Sequence, residues 1–110
     1  MKNKVPLTGI SSVALHAAGH KNAEDAHLTP IFATSTFTFD STEEGMERFA
    51  SKDKTRVYSR WGNPTFTAAE KTIEALEAFG LKDKTGAPLE LRALLHSSGQ
   101  AAMTRSEEHT

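Results

Sequence analysis

The sequence predicts an α/β fold on three observations. Phe66, Ala69, Ile73 and Leu76 recur at helical spacing between Pro64 and Phe79. Leu91-Arg92-Ala93-Leu94-Leu95-His96 is a short, mostly apolar run that fits a strand buried on both faces. It leads straight into Ser97-Ser98-Gly99-Gln100 and the small residues Ala101 and Ala102, which read as a turn and a helix start. A helix, a strand buried on both faces and a glycine-containing turn in that order are parts of an α/β fold. One strand cannot form a sheet, so the segment 91–96 needs further strands to satisfy its backbone.

The elements before Pro64 are shorter. Residues 1–12 are polar and poor in core side chains. Val13 to Ala18 predicts a short helix, with Gly19 placed to end it. Ala23 to Pro30 reads as a loop, because Thr29 precedes a proline and is pushed out of the helical region. Ile31 to Phe39 is rich in aromatic and hydroxyl residues, with Phe37 and Phe39 on one side of an extended chain. Ser41 or Thr42 caps a helix running to Phe49, with Glu43 and Glu44 in its first turn. Asn63 is a good N-cap, Pro64 is pre-set for the first helical position, and Gly80 is a stop. Lys82 to Pro88 is a turn-rich connector.

Composition narrows the function classes. The chain has 110 residues, one domain or less, and 13 basic against 14 acidic side chains give a formal charge of −1. No nucleic-acid or membrane-surface partner follows from such a balance. There are 0 cysteines, which removes disulfides and thiolate metal sites. Met1-Lys2-Asn3-Lys4 is basic but has no long apolar run behind it, so no signal peptide is expected. No segment approaches the ~18 apolar residues of a membrane span, and a soluble, cytoplasmic protein is the expectation. His16 and His20 are spaced for one helical face, yet Gly19 interrupts them and no third ligand is evident, so they read as surface histidines. His96 reads as a packed or capping residue.

Two motifs carry chemistry. Tyr58-Ser59-Arg60-Trp61-Gly62-Asn63-Pro64-Thr65 puts a phenol, a guanidinium and a helix start close together. Arginine offers a planar, permanently charged fork to a phosphate, and Tyr58 can donate to the same anion. Ser97-Ser98-Gly99-Gln100 is the second. Unpaired amides at a helix N-terminus point outward and the helix dipole favours negative charge there. Each alone is also an ordinary turn. Paired, they are two sets of phosphate donors.

In this order, the segments resemble the pyridoxal-phosphate enzymes of cysteine and methionine metabolism. That family includes cystathionine gamma-synthase, the cystathionine lyases, methionine gamma-lyase and the homoserine-ester sulfhydrylases. The resemblance runs over about residues 8–104: Leu15-His16-Ala17 with Gly19, Thr29-Pro30-Ile31 with Thr34-Ser35-Thr36-Phe37, Tyr58-Ser59-Arg60 with Gly62-Asn63-Pro64-Thr65, and Ser97-Ser98-Gly99. It implies an aspartate-aminotransferase-like, type I fold in the intact protein, with this chain contributing helices, an extended arm and one strand. It implies pyridoxal 5'-phosphate as cofactor, an amino-acid substrate, and an active dimer within a homotetramer. Tyr58 and Arg60 would reach the phosphate of the neighbouring subunit's cofactor. Ser98 and the amides of Gly99 and Gln100 would bind that of their own subunit. Gln100 departs from the apolar residue usual after the glycine, which leaves a backbone contact intact.

The resemblance divides the chain into an arm and linker over 1–62, contacting the partner subunit, and the start of the large cofactor domain over 63–104. The lysine that holds the cofactor covalently is expected beyond residue 110, since Lys52, Lys54, Lys71, Lys82 and Lys84 all precede the phosphate turn and read as solvated. The chain alone is then expected to be an inactive N-terminal fragment of a C–S lyase or transferase. Arg105-Ser106-Glu107-Glu108-His109-Thr110 is encoded by AGA-TCG-GAA-GAG-CAC-ACG, the start of a common sequencing-library adapter, so 105–110 is expected to be a non-native tail. The other class is a free-standing small phosphate-binding or interaction module.

Overall fold

The computed structural model describes residues 7–107, so the basic start at Met1–Lys4 and the tail at Glu108–Thr110 lie outside the described residues. Four helices order the chain: α1 (Ile10–His16), α2 (Thr42–Ala50), α3 (Pro64–Glu77) and α4 (Gly99–Glu107). The expected helices form, with shifted ends. α1 starts three residues before Val13, behind Gly9, which has no side chain to cap it. Gly19 and Gly80 both take positive φ, 79° and 74°, where the sequence placed its stops.

Local cap chemistry sets the other starts. Ser41 accepts from the Glu44 amide, and Glu43 and Glu44 occupy the first turn of α2. Glu44 Oε2 reaches back to accept from the Asp40 amide at 2.7 Å, a capping box displaced by one residue. Asn63 Oδ1 accepts from the Thr65 amide at 2.8 Å, with Pro64 opening α3.

The expected strand over 91–96 is not formed; among the described residues there is no strand, only isolated antiparallel bridges at Thr36–Tyr58 and Lys82–Pro88. The reason is the missing partner. A strand is defined by its ladder, and the described chain brings no second strand alongside. The run is nonetheless extended, and its backbone is not abandoned. The Ala93 amide donates to Glu74 Oε1 at 3.0 Å and the Leu95 amide to Glu70 Oε2 at 2.9 Å. Amides two apart face one edge of an extended chain, and carboxylates four apart share one face of α3, so side chains stand where a neighbouring strand would bond.

The interior is small. Among the described residues Val13, Gly45, Val57 and Asn63 are buried, and α1 packs against α3. The apolar stripe of α3 is not covered: Phe66 and Ile73 are exposed and α3 has no buried residue. The radius of gyration is 16.3 Å, wider than the roughly 13 Å of a compact domain this size.

Candidate functional site

The Tyr58–Asn63 turn is held from three sides. The Trp61 and Gly62 amides both donate to the Tyr58 carbonyl, at 2.8 and 3.1 Å. The turn runs close to the 54–55 backbone at Gly62, where a Cβ would sit 3.2 Å from the Lys54 carbonyl oxygen and press that backbone back. The Ser59 amide donates to the Ser35 carbonyl at 2.8 Å, and the Ser59 hydroxyl donates to the Thr34 carbonyl. Asn63, 2% exposed, is the centre of this arrangement. Its Nδ2 donates to the Phe32 carbonyl and to Ser59 Oγ, both at 3.0 Å, while its Oδ1 caps α3. Thr65 completes the join: its hydroxyl donates to the Pro30 carbonyl and accepts from the Phe32 amide, both at 2.9 Å.

The arm therefore packs on its own chain, which the sequence did not suggest. Phe37 and Phe39 are half-buried, while Ile31 is 85% exposed. A row of aromatic rings, Phe39–Phe49–Trp61–Tyr58, runs edge to face with centroids 5.9 Å apart at each step. Arg48 sits over the Phe39 ring at 5.1 Å and donates to the Thr38 and Arg56 carbonyls, each at 3.1 Å.

Tyr58 is half-buried in this row and Arg60 is exposed; among the described residues the Arg60 guanidinium has no hydrogen-bond partner. Ser98 caps α4, accepting from the Ala101 amide at 3.1 Å through its hydroxyl and from the Ala102 amide at 3.2 Å through its carbonyl. That leaves the Gly99 and Gln100 amides as the helix's outward donors. All three residues are exposed.

A cavity of about 1090 Å³ connects the two motifs. Arg60, Trp61, Asn63, Leu94, His96 and Ser97 line it. Tyr58, Ser98, Gly99 and Gln100 are not among its lining residues. Lys52 and Lys54, read from sequence as solvated, also face it, and Lys54 donates to the Phe49 carbonyl. His96 is exposed on its wall, not packed as expected. Sequence reasoning took Asn63 only as a cap and passed over Glu70 and Glu74, although their four-residue spacing was visible.

The model of the Cys/Met metabolism PLP-dependent enzyme family matches residues 11–107. This chain belongs to that family. It is 46% identical over 76 residues to an L-methionine gamma-lyase of Treponema denticola, covering 69% of this chain and 19% of that protein. It is 36% identical over 99 residues to an O-acetyl-L-homoserine sulfhydrylase of Corynebacterium glutamicum, covering 89% of this chain and 20% of the relative. A homocysteine/cysteine synthase of Saccharomyces cerevisiae is 38% identical over 96 residues, covering 84% of this chain and 19% of its own length. The chain thus spans about a fifth of the length of these relatives.

A phosphate dianion wants amides at a helix start, hydroxyls and a guanidinium; Gly99, Gln100, Ser98, Tyr58 and Arg60 carry donors of those kinds, and of the five Arg60 lines the cavity. The three neighbouring histidines bond to one another's ring and backbone atoms. His16 Nδ1 and His20 Nε2 share a hydrogen at 2.6 Å, His20 Nδ1 donates to the His27 carbonyl at 2.7 Å, and no metal-binding group occurs among the described residues. No helix among the described residues is long and apolar enough to cross a membrane.

Proposed function

We propose that this chain forms the arm and first phosphate-binding turn of a pyridoxal 5'-phosphate enzyme that eliminates or replaces the gamma substituent of sulfur amino acids or homoserine esters. When bound, the cofactor supplies an electron sink for bond breaking at the substrate's alpha carbon. The chain's own residues bind and orient. The Gly99 and Gln100 amides hold the phosphate at the positive end of α4, with the Ser98 hydroxyl still free to donate. Arg60 adds a charged fork and Tyr58 a phenolic donor, lent to the neighbouring subunit of a cytoplasmic homotetramer built from active dimers. Residues 1–62 would then be the subunit-contacting arm and 63–104 the start of the cofactor domain. The lysine that binds the cofactor would come from beyond residue 110, leaving the chain inactive by itself.

The observation that carries this reading is the turn holding Tyr58 and Arg60, fixed by buried Asn63 and opening on the same cavity as Ser97. The exposed Ile31, Leu94 and Phe66 favour a chain that buries more surface in an assembly over the free-standing module.

Trp61 is the sole tryptophan and lines the cavity, so its fluorescence reports occupancy. Saturable quenching by pyridoxal 5'-phosphate but not by pyridoxal is expected, and Arg60→Ala should weaken it about 10-fold, the size of a lost charge-assisted hydrogen bond. Equal quenching by both compounds, or an Arg60→Ala variant that binds like the parent, would overturn the phosphate assignment. A cooperative, monomeric melt of residues 1–110 would favour the free-standing module instead.

A further inference from the structure

A second cavity, of about 820 Å³, shares Lys52, Asp53, Thr55 and Thr67 with the first and extends from them past Pro64 and Lys71 of α3 to Lys21 and Arg92. Five cationic side chains line it: Lys21 after α1, Lys52 and Arg56 after α2, Lys71 on α3, and Arg92 in the extended run. They come from four separate segments, so the fold assembles this charge and no local sequence run does. The chain's net charge is −1, which makes the concentration local.

The cavity's one carboxylate, Asp53, offsets one of the five charges and leaves an excess of four. Asp53 Oδ1 is engaged by the Thr55 amide at 3.0 Å and the Thr55 hydroxyl at 2.7 Å. Those bonds hold the Asp53 carboxyl below its ordinary value, and the Lys71 and Arg56 charges act in the same direction. Among the described residues the one ion pair is Arg48–Glu44, so none of the five cations has a carboxylate partner within ion-pair distance. Like charges gathered in a concave site repel one another and focus a positive potential on whatever enters. The volume falls in the range of small-molecule sites, and Pro30, Phe32 and Pro64 give it an apolar wall.

We propose that this cavity binds a small polyphosphate anion. A single phosphate would occupy one or two cations, whereas a chain of phosphates can reach side chains of all four segments. Lysine and arginine both serve phosphate oxygens, Arg56 and Arg92 bidentately and the lysines as point charges.

The test is calorimetric titration of the 110-residue chain with inorganic tripolyphosphate and, separately, with ATP, both without divalent metal. Saturable one-site binding is expected, accompanied by a thermal shift that grows with ligand concentration. Arg56→Ala and Lys71→Ala should each weaken it about 10-fold, and Lys84→Ala, in the exposed turn before Pro88, should leave it as it is. Tighter binding of ATP assigns the site to nucleotides using the Phe32 wall; equal affinity assigns it to the phosphate chain alone, and both support the proposal. Binding that fails to saturate, or that Lys84→Ala weakens as much as Lys71→Ala, overturns it. Loss of binding in Arg60→Ala but not in Arg56→Ala places the ligand on the Tyr58–Arg60 turn; that sinks this proposal and leaves the cofactor reading standing.

Discussion

Residues 30–67 and residues 89–107 solve the same problem in opposite ways. Both contain extended chain that a sheet does not cover. In the first region, side chains from the same region satisfy the backbone: Thr65 serves Pro30 and Phe32, Ser59 serves Thr34, and Asn63 serves Phe32. The knot closes on a residue 2% exposed. In the second, the extended run is held from outside by two glutamates of α3, and Leu94 remains 67% exposed. The first region meets its extended backbone's hydrogen bonds from its own sequence. The second is arranged for neighbours, which suits a strand and helix start that belong inside a larger sheet.

The largest effect should come from Asn63. Asn63→Ala removes the α3 cap, worth about 1 kcal/mol, and leaves the Phe32 carbonyl without its donor, worth about 1–3 kcal/mol more. Amide exchange at Thr65 and Phe32 should speed by well over 10-fold, and the Tyr58–Trp61 turn should loosen with it. Asn63→Asp keeps the cap acceptor and loses both donors, so it should fall between parent and alanine. If aspartate behaves like the parent, the cap is the whole contribution and the first region is not a knot.

A smaller effect is expected in the second region. Glu70→Ala and Glu74→Ala each remove one acceptor from an exposed or half-buried amide, worth about 0.5–1.5 kcal/mol. Exchange at Leu95 and Ala93 respectively should speed about 3–10-fold, with no change at the Thr65 amide. Should Thr65 exchange also rise in these variants, the two regions are one cooperative unit and the contrast between them fails.

What was legible in the sequence follows the same division. Caps at Ser41 and Asn63 were readable because a cap is chemistry between residues two or three apart. The family was readable from short segments whose spacing survives, Tyr58-Ser59-Arg60 and Ser97-Ser98-Gly99 among them. The strand over 91–96 is extended but forms no ladder in this chain, because apolarity predicts burial but a strand needs a partner, which is not local. Asn63 was seen as a cap but not as a bridge, since its donors reach 31 residues back to Phe32. The convergence of Lys21, Arg56, Lys71 and Arg92 was equally invisible, because each is an ordinary surface cation in its own segment. The half-buried arm at Phe37 and Phe39 shows the same limit, as its packing depends on where α2 and the Tyr58 turn come to rest.

The smallest effect separates the buried part of the knot from its exposed rim. Glu44 has its carboxyl held below 4.5, first by the Asp40 amide and then by its pair with Arg48, 2.7 Å away. A group depressed in the folded state lends stability above its unfolded value and loses it as pH falls through the folded one. The clasp should therefore be intact at neutral pH and open only below 4.5, with Arg48 still held by the Thr38 and Arg56 carbonyls. Following the Asp40 amide by NMR during acidification should show a transition below 4.5 that Glu44→Gln abolishes. The Thr65 amide should stay protected through that step, because Asn63 carries no titrating group. A transition above 4.5 would contradict the clasp, and simultaneous loss at Thr65 would mean that the exposed ionic rim, and not Asn63, holds the arm to α3.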